Sequence, residues 1–343
     1  MIGLNEVARA AGVSPATASR ALHRPELVAL QTRERVEQAA QRLGYRPNVL
    51  ARGLRTRGSR TIGLIVTDIL NPFHATLAKG VQDVAEAHGY TVLMFNSDEQ
   101  PSKERRALET LHGHMPQGLI VVPTAETRES LEIVAGLPTV ELDRASGLKG
   151  AHTVMVDNLS GAREAVTHLT GLGHRRIGMI VGQQDISTAR ERLQGYCEAL
   201  ELAGIVYQDS LVLPGNHREA DGRLAALRLL SRREPPTALF VGNNEMTVGA
   251  VLAARELSLE IPRDLSLVGF DDSRWAQTMS PALSVVAQPA YELGQVACQH
   301  LLHLIGAQTG TQTGAYQHLL ESVRLPTRLI YRQSTASVLA VRA

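Results

Sequence analysis

The chain has 343 residues, 44% apolar and 20% charged, with two cysteines and a net charge of +1. That length allows about two or three domains of roughly 100–200 residues, and the composition excludes a disordered chain. Cys197 and Cys298 make no disulfide framework and fit a reducing, cytoplasmic compartment. Met1 to Ala10 has no long apolar run, which argues against a secretory signal. No stretch approaches the roughly 18 apolar residues of a membrane span. The net charge conceals an asymmetry. Residues 1–60 hold 11 Arg against 4 Glu, a balance of +7, so the rest of the +1 chain carries −6. A basic head on a mildly acidic body fits contact with a polyanion, or a plain solvated basic surface.

Leu4, Val7, Ala8 and Ala11 share one helix face. Gly12 then suits a left-handed C-terminal position, Ser14 an N-cap and Pro15 the first helical turn. A second short helix follows to about Leu22. Two short helices across a tight Gly-containing turn form a helix-turn-helix pattern, or else an ordinary helical hairpin. Ala18, Ala21 and Leu22 are expected inside, which leaves Ala16, Thr17, Ser19 and Arg20 outside. Hydroxyls at a helix N-terminus suit phosphate, and Arg20 can reach a base edge or phosphate. A third helix is expected from Thr32 to Leu43, on Val36, Ala39, Ala40 and Leu43. Next comes a basic run, Arg46-Pro47-Asn48 to Arg57, with Asn48 as a plausible N-cap. Helices this short are marginal alone, and Gly53 weakens this one by roughly 1 kcal/mol relative to Ala. It is read as a linker that becomes helical only when docked, or as a flexible one.

Leu4 to Arg20, followed by Leu43-Gly44-Tyr45-Arg46-Pro47-Asn48, resembles the head of the lactose/galactose repressor family. The resemblance implies contact with operator DNA through Ser14, Pro15, Ala16, Thr17, Ser19 and Arg20. It also implies a hinge helix contributing Asn48, Ala51, Leu54 and Arg55, with Leu54 wedged into the minor groove at the operator centre. Pro15 and Ala16 depart from the larger polar side chains of several members, so base reading there rests on apolar contact such as the thymine methyl.

From Thr61 apolar runs alternate with helical patterns. The runs are Thr61–Val66, Tyr90–Phe95, Gly118–Val122, Pro138–Leu142, Arg176–Val181, Ala238–Val241, Leu265–Phe270 and Leu283–Val286. Helices are expected between them, for example over Leu77–His88 and Ala189–Leu202. Continuous apolar strands between helices mean parallel sheets covered on both faces. The fold class is therefore an all-α helix-turn-helix head plus an α/β sensor of two doubly wound lobes. The expected domains are 1–46, a linker over 47–59, and a sensor over 60–343. Within the sensor, lobe one covers about 60–159 and 289–318, and lobe two about 160–288 and 319–332. Residues 333–343 form a tail with no assigned role.

Ligands of such folds sit beyond the carboxyl ends of strands, and polar residues recur there: Asn71, Phe73 and His74, then Asp143 and Arg144, then Arg190, Asn243, Asp271 and Gln288. Bidentate Asp, Asn and Arg groups beside a ring face suit vicinal hydroxyls of a sugar. Singly, Asn243 or Asp271 serves equally well as a cap or turn. The body also resembles the family's sensor domain and the periplasmic sugar-binding proteins. The ribose-binding pattern among them is matched by Asn71, Phe73, Asp143, Arg144, Arg190, Asn243, Asp271 and Gln288. Two departures stand out. His74 replaces a second stacking Phe, and a lobe-two aromatic has no counterpart near Asn216 to Asp221.

The expected function is a ligand-responsive repressor acting as a homodimer on a pseudo-palindromic operator, with a pentose-like sugar as effector. A purine-type corepressor is the alternative within that class. A sugar-transport protein would lack the basic head. Gly171-Leu172-Gly173 begins like a dinucleotide motif but lacks the third Gly and precedes a strand. His112 and His114 have no further ligand nearby. No metal, cofactor or catalytic residue is expected.

Overall fold

The computed structural model describes residues 2–23, 25–45, 60–309 and 322–338. The linker over 47–59, with Asn48, Ala51, Leu54 and Arg55, lies outside them. The chain divides into two compact units between Ser59 and Arg60.

The head holds α1 (Leu4–Ala11), α2 (Pro15–His23) and α3 (Leu30–Leu43). Gly12 takes φ 64°, and Val13 donates to the Ala8 carbonyl at 3.0 Å, closing α1 in the left-handed conformation that glycine adopts without strain. Ser14 Oγ accepts from the Thr17 amide at 3.1 Å and so caps α2. Val7, Ala8, Ala11, Ala18, Ala21, Val36, Ala39 and Ala40 form the core. Six alanines among these eight let very short helices approach closely and still exclude water.

The body builds two six-stranded sheets. Its strands are β1 (Thr61–Val66), β2 (Thr91–Asn96), β3 (Gly118–Val121), β4 (Thr139–Leu142), β5 (His152–Val156), β6 (Ile177–Val181), β7 (Val212–Pro214), β8 (Ala238–Val241), β9 (Ser266–Phe270), β10 (Ser284–Ala287), β11 (Ser322–Leu325) and β12 (Arg328–Ile330). Lobe one orders them β11-β5-β4-β3-β1-β2, and lobe two β12-β10-β9-β8-β6-β7. Every pairing is parallel except β10 with β12. The central strands are buried end to end, as a sheet covered on both faces requires.

In lobe one, α4 (Pro72–Ala87) packs on one face and α5 (Pro101–Gly113) on the other, each over its own apolar cluster. The short α6 (Thr127–Ser130) follows β3. Lobe two sets α7 (Asn158–Gly171) and α8 (Ser187–Leu202) against α9 (Glu219–Leu230) and α10 (Asn244–Glu256). The short α11 (Arg274–Thr278) follows β9, and the long α12 (Ala290–Thr309) returns to lobe one beside α4. That return depends on glycine: a Cβ on Gly80 would lie 2.1 Å from the Tyr291 carbonyl.

Two boundaries differ from the sequence reading. Ser322–Leu325 pairs with β5, so these residues do not belong with lobe two, and the last crossover falls between Leu325 and Arg328. The apolar-run criterion misses this strand because β11 is short, alternating and half exposed. The start of the tail, in turn, is ordered. The Ser334 carbonyl accepts from the Leu267 amide at 2.8 Å and Ser334 Oγ from the Ser284 amide at 2.7 Å, which straps residues 332–338 along lobe two.

Candidate functional site

In each lobe the strand order reverses beside the first strand, with β1 between β2 and β3 and β6 between β7 and β8. Such switch points open crevices beyond the strand ends. Here the two crevices meet. Asn244 Nδ2 of lobe two donates to Asn71 Oδ1 of lobe one at 3.3 Å, and the Ala145 amide donates to Ser187 Oγ at 2.9 Å.

Local structure sets each side chain. Asn71 caps α4 by accepting from the Phe73 amide at 3.0 Å. Pro72 opens that helix, so Phe73 and His74 sit on its first turn, their rings edge to face at 5.3 Å. Asn243 caps α10 through the Met246 amide at 2.9 Å. Asp143 and Asp271 take φ 67° and 79°, a left-handed turn immediately after β4 and β9. Asp271 accepts from Gln288 Nε2 at 2.5 Å and from the Asn244 amide at 3.2 Å.

Asn71, His74, Arg144 and Asn243 line a polar cavity of about 180 Å³ between the lobes. Phe73, Asp271 and Gln288 line a second, of about 690 Å³, beside it. Asp143 is buried next to Arg144, at 3.6 Å. Arg190 is not in the cleft. It is exposed and donates to the Gln184 carbonyl at 3.0 Å. Arg192 takes the buried position instead. It donates to Asn158 Oδ1 at 2.9 Å and to the Gly242 carbonyl at 2.5 Å, and its guanidinium lies 3.6 Å over the Phe270 ring. Two residues along a helix turn the side chain by about 200°, so only one arginine of the pair can face inward.

Two further residues escaped the sequence reading. Glu99, after β2, grips Arg144 through two contacts of 2.7 Å. His217, after β7, is buried in the small cavity at the place where no aromatic was found.

The electrostatics follow from burial. Burial pushes the Glu99 carboxyl up, but the Arg144 charge and its hydrogen bonds outweigh that and hold it at about 2. Burial, reinforced by Arg144, drives the His217 imidazole down to about 3, and burial also lowers His74. Both imidazoles are therefore neutral near pH 7. Burial raises Asp143 against the pull of Arg144 and Arg192. Among the described residues, seven buried side-chain polar atoms lack a hydrogen-bond partner, and four belong to this cluster: Asp143 Oδ1, Arg144 Nε, His217 Nδ1 and Gln288 Oε1. Unsatisfied buried groups are costly and rare, and a polar guest at these strand ends could supply the missing partners. No group of three or more His, Cys, Asp or Glu among the described residues could hold a metal.

On the head, Ser14, Pro15, Ala16 and Arg20 are exposed, and Thr17 and Ser19 half-buried. The α2 N-terminus thus presents its hydroxyls and Arg20 outward.

Comparison with known proteins identifies the family. Residues 3–48 match the model for bacterial regulatory proteins of the lacI family, and residues 166–335 a periplasmic binding protein-like domain. The chain is 34% identical over 339 residues to catabolite control protein A of Priestia megaterium, covering 97% of this chain and 99% of that one. A lac repressor dimer bound to operator and an anti-inducer is 27% identical, covers 98% of this chain and 99% of its own, and superposes with a TM-score of 0.85. A putative ribose operon repressor from Burkholderia thailandensis is 34% identical, with a TM-score of 0.70 over 79% of this chain and 98% of that one.

Proposed function

Because the chain belongs to the lacI family of bacterial regulatory proteins, we propose that it is a repressor whose operator affinity is set by a saccharide ring held between its lobes. The observation that carries this reading is the set of four unpartnered buried polar atoms on residues at the strand ends that face the interlobe crevices. Vicinal hydroxyls both donate and accept, and so can satisfy the Asp143 oxygen, the Arg144 N–H, the His217 nitrogen and the Gln288 oxygen together. The ring contacts are assigned to Asn71, Phe73, His74, Asp143, Arg144, Arg192, His217, Asn243, Asp271 and Gln288. Neutral imidazoles beside an already paired Arg144 favour an uncharged sugar over a phosphorylated one.

Two heads, one per subunit, read half-sites about one helical turn apart. Ser14, Pro15, Ala16, Thr17, Ser19 and Arg20 meet the major groove. The segment over 47–59, with Asn48, Ala51, Leu54 and Arg55, meets the minor groove at the centre. The lac repressor dimer bound to operator supports this arrangement, and the putative ribose operon repressor supports the sugar class. A ligand shifts operator affinity only through different affinities for two lobe arrangements. Trp275, half-buried and bonded through Nε1 to Asn244 Oδ1 at 2.9 Å, reports on the cleft. Titration of its fluorescence with pentoses, hexoses, their phosphates and purines tests the reading. A saturable response to an uncharged sugar supports it. A response confined to purines or phosphates overturns the sugar assignment. An effector that loosens operator binding is an inducer, and one that tightens it a corepressor.

A further inference from the structure

Adjacent parallel strands β4 and β5 are joined by residues 143–151 without a helix. A parallel pair ordinarily needs a crossover of about a dozen residues or more, and the helix in that crossover covers the sheet. Side chains alternate along a strand, so Val140 and Leu142 enter the cluster beneath α4 and α12 while Thr139 and Glu141 turn to the opposite face. On that face α5 packs over β1 and β3. A single 3-10 turn, Leu131–Val134, and the helix-free loop are left to cover β4. The result is a cavity of about 440 Å³ at the starts of β4 and β5, reaching the last turns of α12. It lies at the opposite end of these strands from the interlobe cleft, and its size falls within the roughly 300–1,000 Å³ of sites for organic ligands.

Leu131, Val134, Leu137, Leu148 and Leu304 make its walls apolar. Glu141 also lines it, and neither Lys nor Arg does. That carboxylate is only 1% exposed, and it forms no ion pair among the described residues. It accepts from the Ser146 amide at 2.9 Å and from Ser146 Oγ. A carboxylate offers about four lone-pair sites, so acceptor capacity remains. Burial pushes the Glu141 carboxyl up, because a buried charge is costly until it is paired. The other polar side chains on the rim are engaged elsewhere. His152 Nδ1 lies 3.1 Å from His300 Nε2, and Gln308 donates to the Gly136 carbonyl at 3.2 Å.

The same loop runs from the cleft to this cavity. It starts in the cleft with Asp143 and Arg144. Its Ala145 amide donates to Ser187 Oγ of lobe two at 2.9 Å, Ser146 holds Glu141, and Leu148, Gly150 and Ala151 line the cavity.

We propose that this cavity is a second ligand site, separate from the cleft, and that it takes an organic ammonium ion, with an apolar body against the leucines and a charged nitrogen on Glu141. An aryl-alkyl amine and an alkyl amine share that chemistry. Loop 143–151 carries the occupancy of the site towards Asp143 and Arg144.

Calorimetric titration of the full-length protein with matched sets tests it: tryptamine against tryptophol and indole-3-propionate, and hexylamine against hexanol and hexanoate. In at least one set the amine should bind at least about tenfold more tightly than the alcohol, and the carboxylate should not bind. The set that responds distinguishes the aryl from the alkyl source. Glu141→Gln keeps partners for Ser146 and should abolish the preference for the amine while leaving alcohol affinity unchanged. Ala307, exposed on the rim of the cavity, gives a filling variant, and Ala307→Phe should weaken binding of amine and alcohol alike. Saturating amine should slow hydrogen exchange at the Ala145 and Ser146 amides of the wild type but not of Ala307→Phe. Equal binding of amine and alcohol, or a preference that survives Glu141→Gln, would overturn the proposal. Exchange that slows elsewhere but not in 143–151 would place the amine outside this cavity and overturn it too. So would no binding of any probe at millimolar concentration, the result expected if another part of the chain fills the cavity.

Discussion

The exchange of roles between Arg190 and Arg192 gives a demanding test, because the two side chains differ only in which face of α8 they occupy. Arg192→Ala removes two charged hydrogen bonds, to Asn158 Oδ1 and the Gly242 carbonyl, and the stacking over Phe270. Hydrogen bonds to charged groups contribute about 1.5–3 kcal/mol each, and a desolvated cation–π contact about 2 kcal/mol. Burial of the guanidinium, which lowers its pKa, offsets part of that sum. Breaking a buried charged network by removing one member costs about 3–5 kcal/mol in net terms. At about 2 °C per kcal/mol for a domain of this size, the sensor's thermal midpoint should fall by about 6–10 °C. The Arg192 charge is also felt by Asp143 and Asp271, so binding of the effector should be lost too. Arg190→Ala removes one exposed bond to the Gln184 carbonyl and should shift the midpoint by no more than about 1 °C, as surface changes of under about 0.5 kcal/mol do, with binding intact. Scanning calorimetry and effector titration of the two variants decide the matter. Equal losses in both, or a loss confined to Arg190→Ala, would refute the helix-face argument.

Gly182→Ala would set a Cβ 2.1 Å from His217 Nε2. It should expel the imidazole from the cavity and weaken effector binding at least tenfold without changing operator affinity, read by calorimetry and fluorescence anisotropy. His217, held near 3 against an ordinary value of 6.5, binds fewer protons folded than unfolded between those values, so sensor stability should fall as pH drops from about 6.5 towards 3. Glu99, held near 2, adds a loss of the same sign below about 4.5. Urea melts across that range should show the decline, which His217→Phe should lessen in its upper part, His74, His168, His174 and His300 contributing the remainder. In the head, Ser14→Ala removes the α2 cap and should cost about 1 kcal/mol of head stability. Leu54→Ala should weaken operator binding while leaving effector affinity nearly unchanged. Operator affinity should also fall by about 10³–10⁵ between 50 and 200 mM salt if 6–10 phosphates are contacted.

The parts of the fold that were legible in the sequence are those where one physical requirement dominates a stretch of chain. Buried central strands such as Ile177–Val181 must be apolar throughout, and the α1–α2 turn must place glycine at Gly12. Short edge elements carry no such signature. β7 has three residues and ends in Pro214, so the run before His217 did not read as a strand, and the residue just beyond it was not recognised as cleft-facing. β11 was missed for the same reason, which displaced a lobe boundary. The misplacement of Arg190 was avoidable. Ala189, Arg192, Tyr196 and Ala199 repeat at helical spacing on the buried face of α8, and Arg190 falls off it. Glu99 lay beyond reach, because its role depends on a partner 45 residues away in sequence.

The central claim is that occupancy of the interlobe cleft sets operator affinity. Full-length protein should first select its site from a pool of random duplexes. Anisotropy then gives the affinity for that site with and without the effector found by fluorescence titration, in the wild type and in Asp143→Ala. The account predicts a two-fold symmetric site and a change of at least about fivefold on adding effector, absent from the variant although its effector-free DNA affinity is unchanged. Operator affinity identical with and without saturating effector would contradict it.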